Sequence, residues 1–138
     1  MPERFSFSTT LPVRITDLNY GGHVGNDSML SIIHEIRAQF IQHLGYTEMN
    51  FGGIGLIMSD VIIEFKQELF YGDLIEAKIA VTEISRIGFD LTYQLSTTSE
   101  NGNTRIVALS KSGMVCYDYS KKKIVSTPEE VKRILSSI

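Results

Sequence analysis

The chain holds a single cysteine, Cys116, so it can close no internal disulfide, which fits a reducing compartment. It has no excess of positive charge: 13 Lys and Arg stand against 16 Asp and Glu, a net charge of -3. That balance argues against a nucleic-acid binder, which normally carries a basic surplus. It leaves room for a phosphate-bearing ligand, since a local Lys/Arg cluster is enough to meet one. No apolar run approaches the length of a membrane span. The opening MPERFSFSTT lacks the basic-then-apolar pattern of a secretion signal, so a cytoplasmic location is expected, with no membrane contact. The three histidines, His23, His34 and His43, show no metal-ligand spacing with Cys116, so no metal site is expected.

What is present is enough apolar matter for a core. Of 138 residues, 43% are apolar and 21% charged, the proportions and size of one globular domain spanning 1–138. No linker, repeat or low-complexity stretch divides it.

Hydrophobic periodicity gives the element order. From Arg4 to Asp17, Phe5, Phe7, Thr9, Leu11, Val13 and Ile15 alternate with more polar residues, as in a strand. Pro12 cannot donate to a ladder, which places that strand at an edge or a bulge. A glycine-rich turn, Leu18 to Gly25, precedes the clearest helix. There Met29, Ile32, Ile33, Ile36, Phe40 and Leu44 form one apolar stripe, Asn26 or Asp27 is positioned to cap the start, and Gly45 to follow the end. Four long strands are expected next: Ile54 to Gln67, then runs through Ile75–Val81 and Phe89–Leu95, then Thr104 to Tyr119. Tyr71–Gly72–Asp73 forms one turn, and Asn101–Gly102 predicts a type I′ hairpin. Thr127-Pro128-Glu129-Glu130 reads as a capping box with proline at the first helical position, opening a short helix to about Leu135. Consecutive strands joined by tight turns imply an antiparallel sheet. The long helix must bury its stripe, and the face of that sheet is the economical place. The fold class is α+β: about five antiparallel strands around one long helix, with a short C-terminal helix.

The segment Arg14–Arg37, RITDLNYGGHVGNDSMLSIIHEIR, resembles the signature of the 4-hydroxybenzoyl-CoA thioesterase branch of the hotdog superfamily. That signature is an Asp-x-Asp tract, a Gly-His-Val-x-Asn stretch and a helix ending in Glu-x-Arg. Asp17, Gly22, His23, Val24, Asn26, Glu35 and Arg37 fall in register. The Phe70–Asp73 turn and Asp118 on the closing strand are similar too. The resemblance covers nearly the whole chain. It implies an acyl-CoA or acyl-carrier-protein thioester as substrate, and no metal or redox cofactor. It further implies a homodimer or homotetramer joined sheet edge to sheet edge, with the site at the subunit interface near the start of the central helix.

Thioester hydrolysis needs a donor for the growing oxyanion and an activated water or nucleophile. A helix N-terminus supplies the first, and Gly21–Gly22 let backbone approach a ligand closely. The backbone around Gly22 and His23 is the expected contact; the plain alternative is that the glycines only make the turn. The second need meets a departure. Where the family carries its second Asp, the catalytic carboxylate, this chain has Asn19, and an amide is neither a carboxylate nucleophile nor a base.

Three readings stand. Asp17 takes over, sharing a face with Asn19 if the strand stays extended that far, unless it is simply a turn residue. His23 acts as general base on a water held by Asn19, unless its ring only holds the loop. Or the protein binds thioesters without turning them over.

Asn26 either caps the helix or meets the substrate, and Asp27 favours the helix dipole. Met29, Ile33, Met58, Phe65 and Tyr71 are candidates for an acyl pocket, weighed against ordinary core positions. Arg37 points toward the apolar stripe, as a buried stem paired with a carboxylate would; Glu35, His34 and His43 read as surface. Arg86, Lys111 and Lys121–Lys123 are the cations available for CoA phosphates, although the lysine run looks like a solvated turn. Cys116 reads as a buried thiol. A hotdog hydratase or dehydratase, an acyl-thioester binding module and a plain interaction domain remain beside the hydrolase.

Overall fold

A computed structural model describes residues 4–138. Strand β1 (Phe7–Pro12) leads through a 3-10 turn (Ile15–Asp17) to helix α1 (Asn26–His43). Strands β2 (Gly55–Phe65), β3 (Leu74–Ile84), β4 (Gly88–Thr98) and β5 (Thr104–Asp118) follow, then a two-residue β6 (Lys123–Ile124) and helix α2 (Glu129–Ser136). The sheet is antiparallel throughout, in the order β1-β3-β4-β5-β2, with β6 pairing the end of β5. The expected five strands are thus joined by a sixth, too short to leave a period in the sequence.

Alternation decides which face is buried. Along β4, Phe89, Leu91, Tyr93 and Leu95 are buried while Asp90, Thr92 and Gln94 are half-buried on the other side. On β3, Ile75, Ala77 and Ile79 do the same. These side chains form one core with the inner stripe of α1, made of Met29, Ile32, Ile33, Ile36, Phe40 and Ile41. Each such burial stabilises by about 1.5–3 kcal/mol, so this contact dominates the fold. Gly45, at φ +90°, turns the chain out of α1 where a side chain would strain it.

The two edges differ from the centre. β1 is an edge strand, as Pro12 requires. β2 is the other edge, and toward its end Ile62 and Phe65 are 63% and 50% exposed, so alternation fails there.

Four local expectations are corrected. The first strand stops at Pro12; the apolar beat of Val13 and Ile15 continues, but the backbone turns into the 3-10 helix. The start of α1 is capped by Gly25, with no side-chain hydrogen bond from Asn26 or Asp27. The Asn101–Gly102 turn is not type I′, since only Gly102 of the two has positive φ. Finally, Pro128 is itself the N-cap of α2, and the Thr127 hydroxyl donates instead to the Ser85 carbonyl at 2.8 Å.

Candidate functional site

The loop before α1 is folded back on itself as a small hairpin. Leu18 and Val24 are bridged, the Asn19 N–H donates to the His23 carbonyl at 2.9 Å, and the Gly22 N–H donates to the Asn19 carbonyl at 3.1 Å. Gly22 sits at φ +84°, which glycine adopts without strain. Asn19 accepts the Gly21 N–H on its side-chain oxygen at 2.9 Å, an Asx turn that draws its amide into the loop itself. A Cβ at position 21 would lie 3.1 Å from that oxygen and 3.4 Å from His23 Nε2, so any larger residue there would press on both side chains.

Of the two expectations for Asp17, a catalytic carboxylate or a turn residue, its placement matches the second. Asp17 is 3% exposed and lies at the end of the 3-10 turn. Its carboxylate accepts the Arg14 backbone N–H at 2.8 Å and the Arg14 guanidinium at 3.2 and 3.4 Å. The extended backbone that would have put Asp17 and Asn19 on one face is absent.

The loop is tied to the chain that leaves β2. Val24 N–H donates to the Leu69 carbonyl at 3.0 Å, and His23 bridges Phe70. Between His23–Met29 on one side and Phe65–Leu69 on the other lies a cleft of about 240 Å³. His23, Asn26, Met29 and Phe65 therefore come together on its walls. Ile33 is fully buried in the core, Met58 is half-buried under Arg37, and Tyr71 is 65% exposed on the turn, so these three and Gly22 lie outside the lining.

The start of α1 opens beside this cleft. Its cap residue, Gly25, offers no side-chain acceptor, and its carbonyl takes only the Met29 N–H, at 3.0 Å. The amides of Asn26, Asp27 and Ser28 have no hydrogen-bond partner among the described residues. Three such donors, at the positive end of an 18-residue helix, form a site for an anion or a developing oxyanion.

On the opposite wall, sequence reasoning found Phe65 but missed Glu68. Glu68 reaches within 3.8 Å of His23 Nε2, and Arg105 holds the Glu68 carbonyl at 3.0 Å and the Gln67 side chain at 3.1 Å. Nothing periodic marks Glu68; only the pairing of β5 with β2 brings Arg105 to it.

Farther along α1 the expected buried arginine is present. Arg37 is buried and donates from Nε to Glu48 Oε1 at 2.5 Å, while His34 Nε2 lies 3.0 Å from Glu48 Oε2. Burial works to raise the Glu48 carboxyl, but the Arg37 guanidinium and His34 outweigh it and hold the group below its ordinary value. Beneath, the buried Tyr93 and Ser112 hydroxyls share a 2.6 Å hydrogen bond. Of the candidate phosphate partners, Lys111 is paired with Asp60 at 2.7 Å on the outer face of the sheet, and Lys121 and Lys122 form an exposed turn that leads into Lys123, itself exposed, on β6. Arg86 is exposed.

The thioesterase-like superfamily model matches residues 13–135. A protein of Aquifex aeolicus (strain VF5) named "Putative esterase" is 26% identical over 125 residues, covering 89% of this chain and 92% of that protein. Among solved structures, a 1,4-dihydroxy-2-naphthoyl-CoA thioesterase from Synechocystis superposes with a TM-score of 0.81 at 19% identity, covering 96% of each chain. The 4-hydroxybenzoyl-CoA thioesterase of Pseudomonas sp. strain CBS-3 does so at 0.82 and 15% identity, over 95% of this chain and 99% of its own. At those identities the superpositions speak for the fold, a hotdog sheet and helix. With the family match running from Val13 to Leu135, the chain belongs to the thioesterase-like superfamily.

Proposed function

We propose that the protein hydrolyses an acyl thioester of coenzyme A or of acyl-carrier protein to free acid and thiol, in the cleft at the start of α1. The observation that carries this is the set of three unpartnered amides, Asn26, Asp27 and Ser28, beside a cleft walled by His23. The thioester carbonyl oxygen faces those amides, where the charge of the tetrahedral intermediate is stabilised. Met29 and Phe65 give the cleft an apolar wall for the acyl group. His23 belongs to the machinery that activates the attacking water. Asn19 shapes the loop through its Asx turn, and Asp17 holds the approach to it.

The chain acts as one domain and as a homodimer or homotetramer. The outer edge of β2 supports that reading, because a strand 11 residues long, paired only with β5 on its inner side, leaves an edge that needs cover. A monomer mass in sedimentation at micromolar concentration would remove it.

A second reading, an acyl-thioester binding module without turnover, is favoured by Asn19 standing at the family's carboxylate position. Release of free thiol from short, medium, long and aromatic acyl-CoAs, with carrier-protein thioesters to follow, separates the two. Hydrolysis by the wild type, lowered about 100-fold by His23→Ala, supports the enzyme. Binding without thiol release supports the module.

A further inference from the structure

Hydrolysis requires a group that takes a proton from water, and Asn19 cannot do so. The carboxylates near the cleft can be compared one by one. Asp17 is buried and accepts three hydrogen bonds from Arg14. Asp73 accepts the Phe70 N–H at 3.0 Å and faces Arg105 at 3.6 Å, closing its turn. Asp27 folds back beside Gly25, where a Cβ would meet its Oδ1 at 3.0 Å, and it does not line the cleft. Glu68 does line it.

Glu68 also has a setting the others lack. Its peptide carbonyl is pinned by Arg105 at 3.0 Å, so its backbone is fixed. Among the described residues its carboxylate, 62% exposed, meets only His23 Nε2, at 3.8 Å, and forms no ion pair with Lys or Arg. A carboxylate fixed at its root and uncommitted at its tip is free to accept a proton. A separation wider than a hydrogen bond is usual before substrate closes a site.

Resting on the hydrolase reading above, we propose that Glu68 is the general base, with His23 as the positioning residue that holds its carboxylate over the cleft. A water between Glu68 and the thioester gives one proton to a Glu68 oxygen while its own oxygen bonds to the carbonyl carbon. The carbonyl electron pair moves to oxygen, which faces the amides at the start of α1. On collapse the C–S bond breaks, and the departing sulfur takes the proton from Glu68. Free acid and thiol result, and the carboxylate is restored.

The test is thiol release by the full chain carrying Glu68→Gln, Glu68→Asp, His23→Ala or His23→Gln, with Glu83→Gln as an exposed control. Glu68→Gln is expected to lower kcat about 100- to 10,000-fold with KM and thermal unfolding unchanged. Glu68→Asp keeps part of the rate, and Glu83→Gln all of it. His23→Gln, which still offers a side-chain N–H, recovers part of what His23→Ala loses. Glu68→Gln within about threefold of an active wild type would overturn the role of Glu68 alone. A wild type inactive on every CoA and carrier-protein thioester would overturn the hydrolase reading, and Glu68 with it.

Discussion

Two histidine–glutamate pairs, one made by His34 of α1 and one by His23 just before it, have opposite fates. His34 and Glu48 are 3.0 Å apart, and Glu48 is clamped from its other oxygen by buried Arg37 at 2.5 Å. His23 and Glu68 are 3.8 Å apart on an open cleft, with no Lys or Arg among the described residues paired to the carboxylate. The same two residue types serve the fold in one place and stand free in the other. What separates them is the neighbour: a carboxylate held by a buried cation is committed to structure, because either partner left alone would be an uncompensated charge.

That contrast can be broken most severely at Arg37. Arg37→Ala leaves Glu48 without its cation and opens a cavity under α1, and is expected to cost about 3 kcal/mol in urea or thermal unfolding. A matching truncation at the other pair, His23→Ala, should leave the unfolding midpoint within about 0.5 kcal/mol of wild type. Next in size is Glu48→Gln, which keeps the shape but loses the charge and should cost about 2 kcal/mol.

The Glu48 carboxyl also sets a pH dependence. Its folded pKa lies below the ordinary 4.5, so its contribution to stability is complete above 4.5 and is lost as pH falls below that, through the folded value. Acid unfolding of the wild type should therefore be steeper than that of Glu48→Gln.

The floor beneath the clamped pair gives a smaller effect. Tyr93→Phe removes the 2.6 Å hydrogen bond to Ser112 and is expected to cost about 1 kcal/mol in the same unfolding experiment. The smallest concerns Cys116, fully buried in the core both pairs rest on, with its thiol pushed up by burial. Labelling by a thiol reagent at neutral pH should be slow in the native protein and fast in urea.

The sequence made one of these pairs partly visible. The 3.6-residue beat of α1 put Arg37 on the buried stripe, which requires a carboxylate partner, and Glu48 is that partner. Its identity was hidden, because Glu48 lies in an aperiodic loop. The strands were legible wherever one face is buried, as along β4, and the rule lost its hold at the edge, where Ile62 and Phe65 face solvent.

The site was harder to read. Val13 and Ile15 kept an alternating beat through a segment that is a 3-10 turn, which hid the burial of Asp17. Side chains suited to capping, Asn26 and Asp27, concealed an uncapped start at Gly25. Glu68 meets His23 only because His23 bridges Phe70 and Val24 donates to the Leu69 carbonyl, contacts between distant loops that no local pattern encodes.

The claim that the thioester is held at the open start of α1 is tested most directly by amide chemical shifts, recorded with and without a hydrolysis-resistant acyl-CoA thioether. The largest changes are expected at Asn26, Asp27 and Ser28, with His23 and Glu68 following. Changes confined to the outer face of the sheet, around Ile62, Thr82, Thr92 and Lys111, where a separate groove lies, would contradict it.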